Sequence, residues 1–195
     1  MSNVAGRSVL ALAGGLLCLV LVVLLVWVIV TYNRLVRQRN QVHASWAQID
    51  VQLKRRYDLI PNLVETVKGY AAHEKGTLDA VVQARNSAIA AAGSSPAGRG
   101  EAENVLTQTL GRLFALAEAY PNLKANENFA ALQSELANTE DKIAYSRQFY
   151  NSAVQTFNNS TQTVPTNLIA GAMGFRAQDF FQTADTERGP VQVRF

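Results

Sequence analysis

The feature that most constrains this chain is a long uncharged segment near its amino terminus. From Ser8 to Asn33 no residue carries a formal charge, and residues 9–30 are apolar throughout, counting two glycines. At about 1.5 Å per residue, a helix of this length spans the roughly 30 Å hydrocarbon core of a bilayer. The segment therefore predicts a transmembrane helix over residues 9–31, preceded by a short tail over residues 1–8.

The alternative for this segment is a cleaved secretory signal. The apolar cores of signal peptides run to about 7–15 residues and end at a small-residue cleavage site. Here the run is longer and ends Val-Ile-Val-Thr-Tyr-Asn-Arg, without such a site. Cys18 would suggest a lipoprotein, but Leu17 precedes it where a small residue would be expected. The pattern favours an uncleaved anchor.

The orientation of the anchor is predicted from its basic flanks, because basic residues tend to stay on the cytoplasmic side of a membrane. Arg34, Arg37 and Arg39 follow the apolar segment, whereas Arg7 precedes it. We therefore expect a single-pass protein with its amino terminus outside and its carboxy-terminal domain in the cytoplasm. The same three arginines are candidates for contact with the membrane surface.

Beyond the membrane segment, apolar residues recur every three or four positions, as on the buried face of packed helices. The stripe comprises Val42, Trp46, Ile49, Leu53, Ile60, Val64, Val67, Ala71, Leu78 and Val81. It predicts a first long helix that continues to about Ala92. Since no breaker stands between Val30 and Ile60, this helix is expected to extend the membrane helix directly.

Pro61 interrupts the stripe within the dense stretch QLKRRYDLIPNLVETVKGYAAHE at residues 52–74. Proline removes a backbone donor and disfavours helical geometry in the residue before it. Asn62 and Glu65 have the spacing of a capping box, which supports a new helix start. A kink in one helix and the restart of a second are both open. We assign structural roles to Trp46, Pro61, Leu63 and Tyr70.

Two further long helices are predicted, separated by loops that contain glycine or proline. A loop is expected at residues 93–98, followed by a helix from about Glu101 to Tyr120. The third helix starts near Asn126, a candidate N-cap, and continues to about Thr161. The predicted fold class is all-α, with the transmembrane helix followed by an antiparallel bundle of three long helices over residues 32–164.

Residues 165–195 form a different kind of segment, which is apolar and rich in glycine at its start. Asn167 is predicted to cap a short helix over Leu168–Met173 that Gly174 ends. We expect this tail to dock onto the bundle, with an interfacial or partner-binding role as the alternative. Alternation with polar residues predicts a short edge strand at Val191, Val193 and Phe195.

Four short motifs join the dense stretch in a recognisable order. They are YNRLV at residues 32–36, SWAQIDV at 45–51, RQFYN at 147–151 and NLIAG at 167–171. Together they resemble the LemA family of bacterial membrane-anchored proteins. The resemblance implies an amino-terminal membrane helix, a helical domain and a place in the bacterial inner membrane, but no agreed molecular activity. It also implies that some relatives are encoded near membrane-protein quality-control proteases and that others belong to magnetosome systems.

The residue types present exclude several kinds of chemistry. Cys18 is the only cysteine, so neither an intramolecular disulfide nor a cysteine-based zinc site is expected. His73 begins HEKGT, but Thr77 stands where a zinc-protease motif has its second histidine. No nucleophile elbow or phosphate-binding glycine loop is present. We expect no metal, no cofactor and no enzymatic activity.

The net charge of +3 comes from a basic excess mainly at residues 34–56, beside the membrane, so no nucleic-acid partner is expected. Arg55 and Arg56, with Asn62, form a candidate anion or partner site near the backbone donors of a break at Pro61. The alternative is solvated charge and helix ion pairing, such as Asp50–Lys54 and Lys54–Asp58. Acidic pairs, Glu101/Glu103 and Glu140/Asp141, are predicted on solvated helix faces.

These observations predict a non-enzymatic, membrane-anchored helical scaffold or adaptor at the inner face of the bacterial plasma membrane. The resemblance links it to envelope protein quality control or assembly. A lipid-surface organising or sensing protein is the alternative, and an enzyme of unknown type is a third. Expected partners are membrane lipids, membrane proteins and further copies of the chain. Self-association is predicted from small residues four apart, Ala11/Gly15 and Gly14/Cys18, and from the stripe that starts at Val42.

Overall fold

The computed structural model describes the backbone of residues 2–181 and the side chains of residue 12 and residues 14–181. Within that range the chain forms helices and no strand, so the predicted all-α class is confirmed. The helices are α1 Ser2–Lys68, α2 Lys75–Ala90, α3 Pro96–Ala117, α4 Pro121–Lys124, α5 Glu127–Gln162 and α6 Thr166–Ala172, with a 3-10 turn at Ala91–Gly93. The edge strand predicted at residues 191–195 lies outside the described residues.

Helix α1 runs without interruption from the apolar segment through Pro61 to Lys68. The prediction of one continuous helix past Val30 is confirmed, and a restart at Pro61 is wrong. A proline at position 61 cannot donate to the carbonyl of Tyr57, four residues earlier. That carbonyl accepts a hydrogen bond from Nε of Arg85 instead, at 2.8 Å. The lost backbone donor is thus replaced by a side chain of α2.

The first helix ends at Lys68, so its predicted extension to Ala92 is wrong. Gly69, which costs about 1 kcal/mol relative to alanine inside a helix, begins the break. Side chains then hold the turn in place: Tyr120 donates to Glu74 at 3.0 Å, and Asn126 donates to the Tyr70 hydroxyl at 2.9 Å. The apolar stripe nevertheless continues across the break. Ala71, which lies in the turn, and Leu78, which lies in α2, are both buried.

The ends of the later helices follow their caps. Helix α3 starts at Pro96 rather than near Glu101, because Ser95 accepts from the amide of Gly98 at 3.3 Å and proline suits the first helical position. It ends at Ala117, before the predicted Tyr120. The predicted cap of α5 is confirmed, since Oδ1 of Asn126 accepts from the amide of Phe129 at 3.0 Å.

The described chain divides into two compact units. The first comprises residues 1–42 and 155–178. In it, the side chains of residues 14–26 are exposed, as Leu16, Leu21 and Leu25 show with exposures of 66%, 58% and 62%. This is the only helix in the described range that is long and apolar enough to cross a membrane.

Helix α6 closes the first unit. It spans Thr166–Ala172 instead of Leu168–Met173, and Asn167 lies inside it without capping it. Gly174, with φ of 72°, ends it as predicted, and the amide of Phe175 donates back to Ala170 at 2.9 Å. Phe175 packs edge-on against Phe157, with ring centroids 6.3 Å apart.

The second unit comprises residues 43–154 together with residues 179–181 of the described chain. Contacts of α1 and the turn after it with α5 and its N-cap pair early residues of one with late residues of the other: Trp46 with Tyr150, Arg56 with Glu140 and Tyr70 with Asn126. Contacts between α1 and α3 instead pair Asp50 with Arg99 and Arg56 with Thr107, so the residue numbers increase in the same direction and the two helices are parallel. With α2 running back from the turn, four helices alternate in direction where three were predicted. Their shared core includes Leu53, Leu63, Val81, Leu106, Leu113 and Ile143.

Candidate functional site: a buried ion-pair cluster

Three charged side chains and a tyrosine from three helices meet in the core of the second unit. Arg56 and Tyr57 come from α1, Glu103 from α3 and Glu140 from α5. The side chains of Arg56 and Glu103 are each 1% exposed, whereas that of Glu140 is 36% exposed. Because burying a charge without a partner is strongly unfavourable, such a group persists only where its partners are built in.

Arg56 is the centre of this cluster. Its Nη2 donates to Oε2 of Glu103, and its Nη1 donates to Oε2 of Glu140 at 2.7 Å. The same Nη1 lies 3.0 Å from Oγ1 of Thr107, which itself donates to Oε1 of Glu140 at 2.9 Å. One guanidinium thereby joins α1 to both α3 and α5.

The second oxygen of Glu103 is used by the neighbouring residue of α1. The Tyr57 hydroxyl donates to Oε1 of Glu103, so both carboxylate oxygens have partners. Burial raises the pKa of Tyr57 above its ordinary value of 10.0, and the hydrogen bond to Glu103 raises it further. Tyr57 therefore stays a neutral donor and adds no charge to the cluster.

A second ion pair lies beside the first. Nη1 of Arg99 donates to Oδ1 of Asp50, and its guanidinium lies 5.4 Å from the ring centroid of Trp46. Trp46 in turn packs on Tyr150 and Phe181, at centroid distances of 5.0 and 5.7 Å. The predicted seam position of Trp46 is thus a partly buried aromatic contact that ties α1 to α5 and to the end of the described chain.

Of the predicted anion or partner site, Arg55, Arg56 and Asn62 point to different places. Arg55 is half exposed and pairs with Glu135, whereas Arg56 enters the core. Asn62 is exposed, and its carbonyl accepts from Thr66 at 2.8 Å. The three residues do not form one pocket. Arg56 forms ion pairs, as the alternative predicted, but it is 1% exposed rather than solvated.

The other residues singled out from the sequence are divided between core and surface. Leu63 is buried, whereas Pro61 and Tyr70 are exposed. Lys54 pairs with Asp58 at 2.8 Å as predicted, but Asp50 pairs with Arg99 rather than with Lys54. The juxtamembrane arginines, Arg34, Arg37 and Arg39, are exposed.

The prediction that Glu103 and Glu140 lie on solvated helix faces is wrong for Glu103, whose side chain is 1% exposed. Arg99 was not singled out, although helical spacing contains the signal for all three. Counting back from the buried Leu110 by seven and then four residues gives Glu103 and Arg99. Counting four forward from Leu136 gives Glu140. The buried faces were predicted from apolar residues alone. A charged residue at the same helical spacing as the apolar residues predicts a buried partner of opposite charge on another helix.

The cluster has the properties of a structural element. Glu103 has both oxygens occupied and is out of reach of a substrate, so it cannot act as a general acid or base. Across the described residues, no group of histidine, cysteine or acidic side chains could hold a metal ion. The buried Nε–H groups of Arg56 and Arg99 have no hydrogen-bond partner within the described part of the chain.

The cluster reaches the surface at Glu140, whose side chain is 36% exposed. Together with Thr107 it borders a cavity of about 280 Å³ between α3 and α5, whose other walls include Leu110, Phe114 and Leu136. The walls of the cavity are mostly apolar, with Gln133 as a further polar residue.

Comparison with known proteins places the cluster within a family. The model of the LemA family matches residues 45–195, which include every residue of the cluster. The chain belongs to the LemA family. The matched region begins after the apolar segment, so the LemA family match concerns the helical domain and the tail.

Individual relatives cover most of the chain. Magnetosome protein MamQ 2 of Paramagnetospirillum magneticum is 25% identical over 184 residues, 82% of this chain and 68% of the relative. Magnetosome protein MamQ of Magnetospirillum gryphiswaldense is 23% identical over 210 residues, 95% of this chain and 77% of the relative. Protein LemA of Metamycoplasma hominis is 28% identical over 163 residues, 83% of this chain and 73% of the relative. The LemA family assignment therefore agrees with the resemblance found in the sequence motifs.

Proposed function

We propose that this LemA family protein is a non-enzymatic scaffold or adaptor, anchored by residues 9–31 at the inner face of the bacterial plasma membrane. The observation that carries the proposal is the continuity of α1, which leads from a lipid-compatible exposed segment into a helical domain. In that domain the charged residues of the core pair with one another. Similarity to proteins named for the magnetosome supports an assembly role.

An adaptor needs a surface that another protein can bind, and α5 provides a candidate. Tyr145 is 71% exposed and Phe149, one turn later on the same face, is 39% exposed. Tyr145 borders a groove with Gln48, Gln52 and Lys142, and the buried Oε1 of Gln52 has no hydrogen-bond partner among the described residues. Exposed aromatic residues beside a groove are typical of protein-binding surfaces.

Photocrosslinking in intact membranes tests the proposal. A photoreactive amino acid at Tyr145 of the full chain should give discrete adducts with another membrane protein, identified by mass spectrometry. The matched control is the same amino acid at Glu101, an exposed residue of α3. Adducts at neither position, or the same adducts at both, would argue against an adaptor surface on α5.

The proposed orientation has a separate test. Arg34, Arg37 and Arg39 outnumber Arg7, so the carboxy terminus is expected in the cytoplasm. A reporter enzyme that is active only outside the cytoplasm, fused after Phe195, should be silent, while a cytoplasmic fluorescent protein at the same site should be bright. Strong activity of the first reporter would reverse the orientation.

A further inference from the structure

Helix α6 and its flanks expose several large apolar side chains. Val164 is 73% exposed, Leu168 is 70% exposed and Met173 is 55% exposed. Ile169 and Ala170, on the other side of the helix, are buried. This short segment therefore has one apolar side that is buried against the protein and a second apolar side that is exposed.

Phe175 determines where this segment lies along α1. Its ring packs edge-on against Tyr32, with centroids 5.8 Å apart, and the guanidinium of Arg39 lies 5.3 Å from its centroid. The backbone bond from Phe175 to Ala170, at 2.9 Å, ties the ring to α6 through the tight turn at Gly174. Because these contacts all belong to the first unit, α6 is held beside residues 32–39 of α1.

The rise per residue of α1 gives the position of each residue relative to the end of the apolar segment. Val30 is the last residue of the apolar segment, and Tyr32 follows it by about 3 Å along the helix axis. The interfacial zone on each side of the hydrocarbon core is about 5–8 Å thick. Phe175, in contact with Tyr32, therefore lies near the level of the lipid headgroups, and α6 lies next to it.

The charges of this unit also suit a membrane surface. None of the 15 acidic residues of the chain falls within residues 1–42 or 155–178. The same ranges contain Arg34, Arg37, Arg39 and Arg176, all of them exposed. Basic residues this close to a bilayer are attracted to anionic headgroups.

We propose that α6 is a second membrane contact, which rests in the lipid interface at the point where α1 leaves the bilayer. Val164, Leu168 and Met173 enter the boundary between headgroups and acyl chains, and the neighbouring arginines bind anionic headgroups. This inference rests on the proposed membrane anchoring and names lipid as the partner of the tail. In this arrangement lipid, rather than a second protein, covers the exposed apolar side of α6.

Depth-dependent quenching tests the proposal on the full chain in vesicles of phosphatidylethanolamine and phosphatidylglycerol. In a Cys18→Ser background, single cysteines at Ile29, Asn40 and Leu168 carry the same environment-sensitive fluorophore. Ile29 lies inside the apolar segment, and the exposed Asn40 lies about 15 Å beyond Val30 along α1. Lipids with a nitroxide near the headgroup should quench the fluorophore at position 168 more strongly than the one at position 40. The emission of the fluorophore at position 168 should also lie further to the blue, because the lipid interface is less polar than water.

A matched pair of substitutions isolates the apolar side. With the fluorophore at Val164, Leu168→Asp should abolish most of the quenching, whereas Gln155→Asp, an exposed position of α5 in the same unit, should leave it unchanged. Equal loss in both variants would mean that added negative charge, rather than the apolar contact, is responsible, and would overturn the proposal.

The remaining outcomes separate this inference from the proposed function. Quenching at Ile29 with none at Leu168 beyond that at Asn40 overturns the α6 contact but leaves the anchor intact. A Leu168 fluorophore that is shielded from water yet unquenched by lipid indicates a protein partner and also overturns the lipid contact. Absence of quenching at Ile29 itself removes the anchor and both proposals with it.

Discussion

At the scale of single residues, Arg56 shows what a charge in the core does for this fold. Its guanidinium has carboxylate partners on two other helices, and both it and Glu103 are almost fully shielded from water. A buried ion pair adds little net stability compared with apolar residues, but removing one partner leaves the other charge uncompensated. The cluster therefore specifies which helices meet more than it stabilises them.

We expect Arg56→Ala to destabilise the second unit by about 3–5 kcal/mol, because Glu103 would be left buried and unpaired. Arg55→Ala, the adjacent substitution at a half-exposed ion pair, should cost less than about 1 kcal/mol. Chemical unfolding of the full chain in detergent, followed by circular dichroism, measures both. A double variant, Arg56→Met with Glu103→Leu, should recover much of the loss, and equal losses for Arg55→Ala and Arg56→Ala would contradict the structural role.

Tyr150 gives a prediction for the dependence of stability on pH. Burial, with the nearby charge of Asp179, raises the pKa of Tyr150 from 10.0 to about 12. The folded state thus favours the neutral hydroxyl, which donates to the carbonyl of Asp179 at 2.9 Å. Its stabilisation is present in full below pH 10 and is lost as the pH rises through about 12.

Tyr150→Phe removes this contribution and should cost about 0.5–1.5 kcal/mol at neutral pH. The gap in unfolding free energy between the native sequence and the variant should then narrow as the pH rises from 10 toward 12. Denaturant unfolding over that range measures the gap. Tyr145→Phe, at an exposed position of α5, controls for loss of a hydroxyl. A gap for Tyr150→Phe that stays constant with pH would show that the hydroxyl does not titrate with folding.

At the scale of secondary structure, the continuity of α1 through Pro61 depends on a side chain from another helix. Proline inside a helix costs about 3 kcal/mol or more, partly because a carbonyl loses its donor. Here Arg85 supplies the missing donor to Tyr57. Arg85, a residue of α2, therefore supplies the donor that α1 loses at Pro61.

This pairing predicts coupled effects of substitution. Arg85→Ala should destabilise the protein by about 1–3 kcal/mol, since the Tyr57 carbonyl would lose a partner inside the fold. In a Pro61→Ala background the helix regains its own donor, so the same substitution should cost clearly less. Thermal unfolding of the four members of the cycle measures the coupling, and Arg112→Ala, exposed on α3, serves as the control. Additive effects would show that Arg85 acts independently of Pro61.

Secondary structure was predictable at several positions that a local rule decides, although the local cap at Ser95, which starts α3, was missed. The apolar stripe, the cap at Asn126 and the stop at Gly174 were all readable because each depends on residues a few positions apart. The break after Lys68 and the passage through Pro61 were not, because each depends on side chains distant in sequence: Tyr120 and Asn126 at the break, Arg85 at the proline. The ion cluster was missed because the partners of Arg56 lie on two other helices, although the spacing of Glu103 and Glu140 on those helices contains part of the signal.

At the scale of the whole molecule, the described structure changes the basis for predicting self-association. The stripe that would have formed a seam between chains is used within the chain: Val42 is 3% exposed, and Ile49 and Leu53 are 0% exposed. A homo-oligomer remains a prediction, but its interface must lie elsewhere. The membrane segment is the candidate, because a Cβ added at Gly14 or Gly15 would meet nothing within 4 Å in a single chain.

We expect the membrane segments of two chains to pack through the face that contains Gly14 and Cys18. Small residues four apart let helices approach closely, and an anchored chain meets its copies at high effective concentration. Cys18 is an exposed free thiol, so oxidation in native membranes should yield a disulfide-linked dimer. A cysteine at position 16, in place of Leu16 and in a Cys18→Ser background, lies about 200° around the helix from position 18. It should give much less disulfide-linked dimer. Gly14→Leu should reduce the Cys18 dimer by obstructing the contact, whereas Leu19→Val should not. Equal crosslinking at positions 16 and 18 would indicate random collision, and no crosslinking at Cys18 at native expression would indicate that the chain is a monomer at this face.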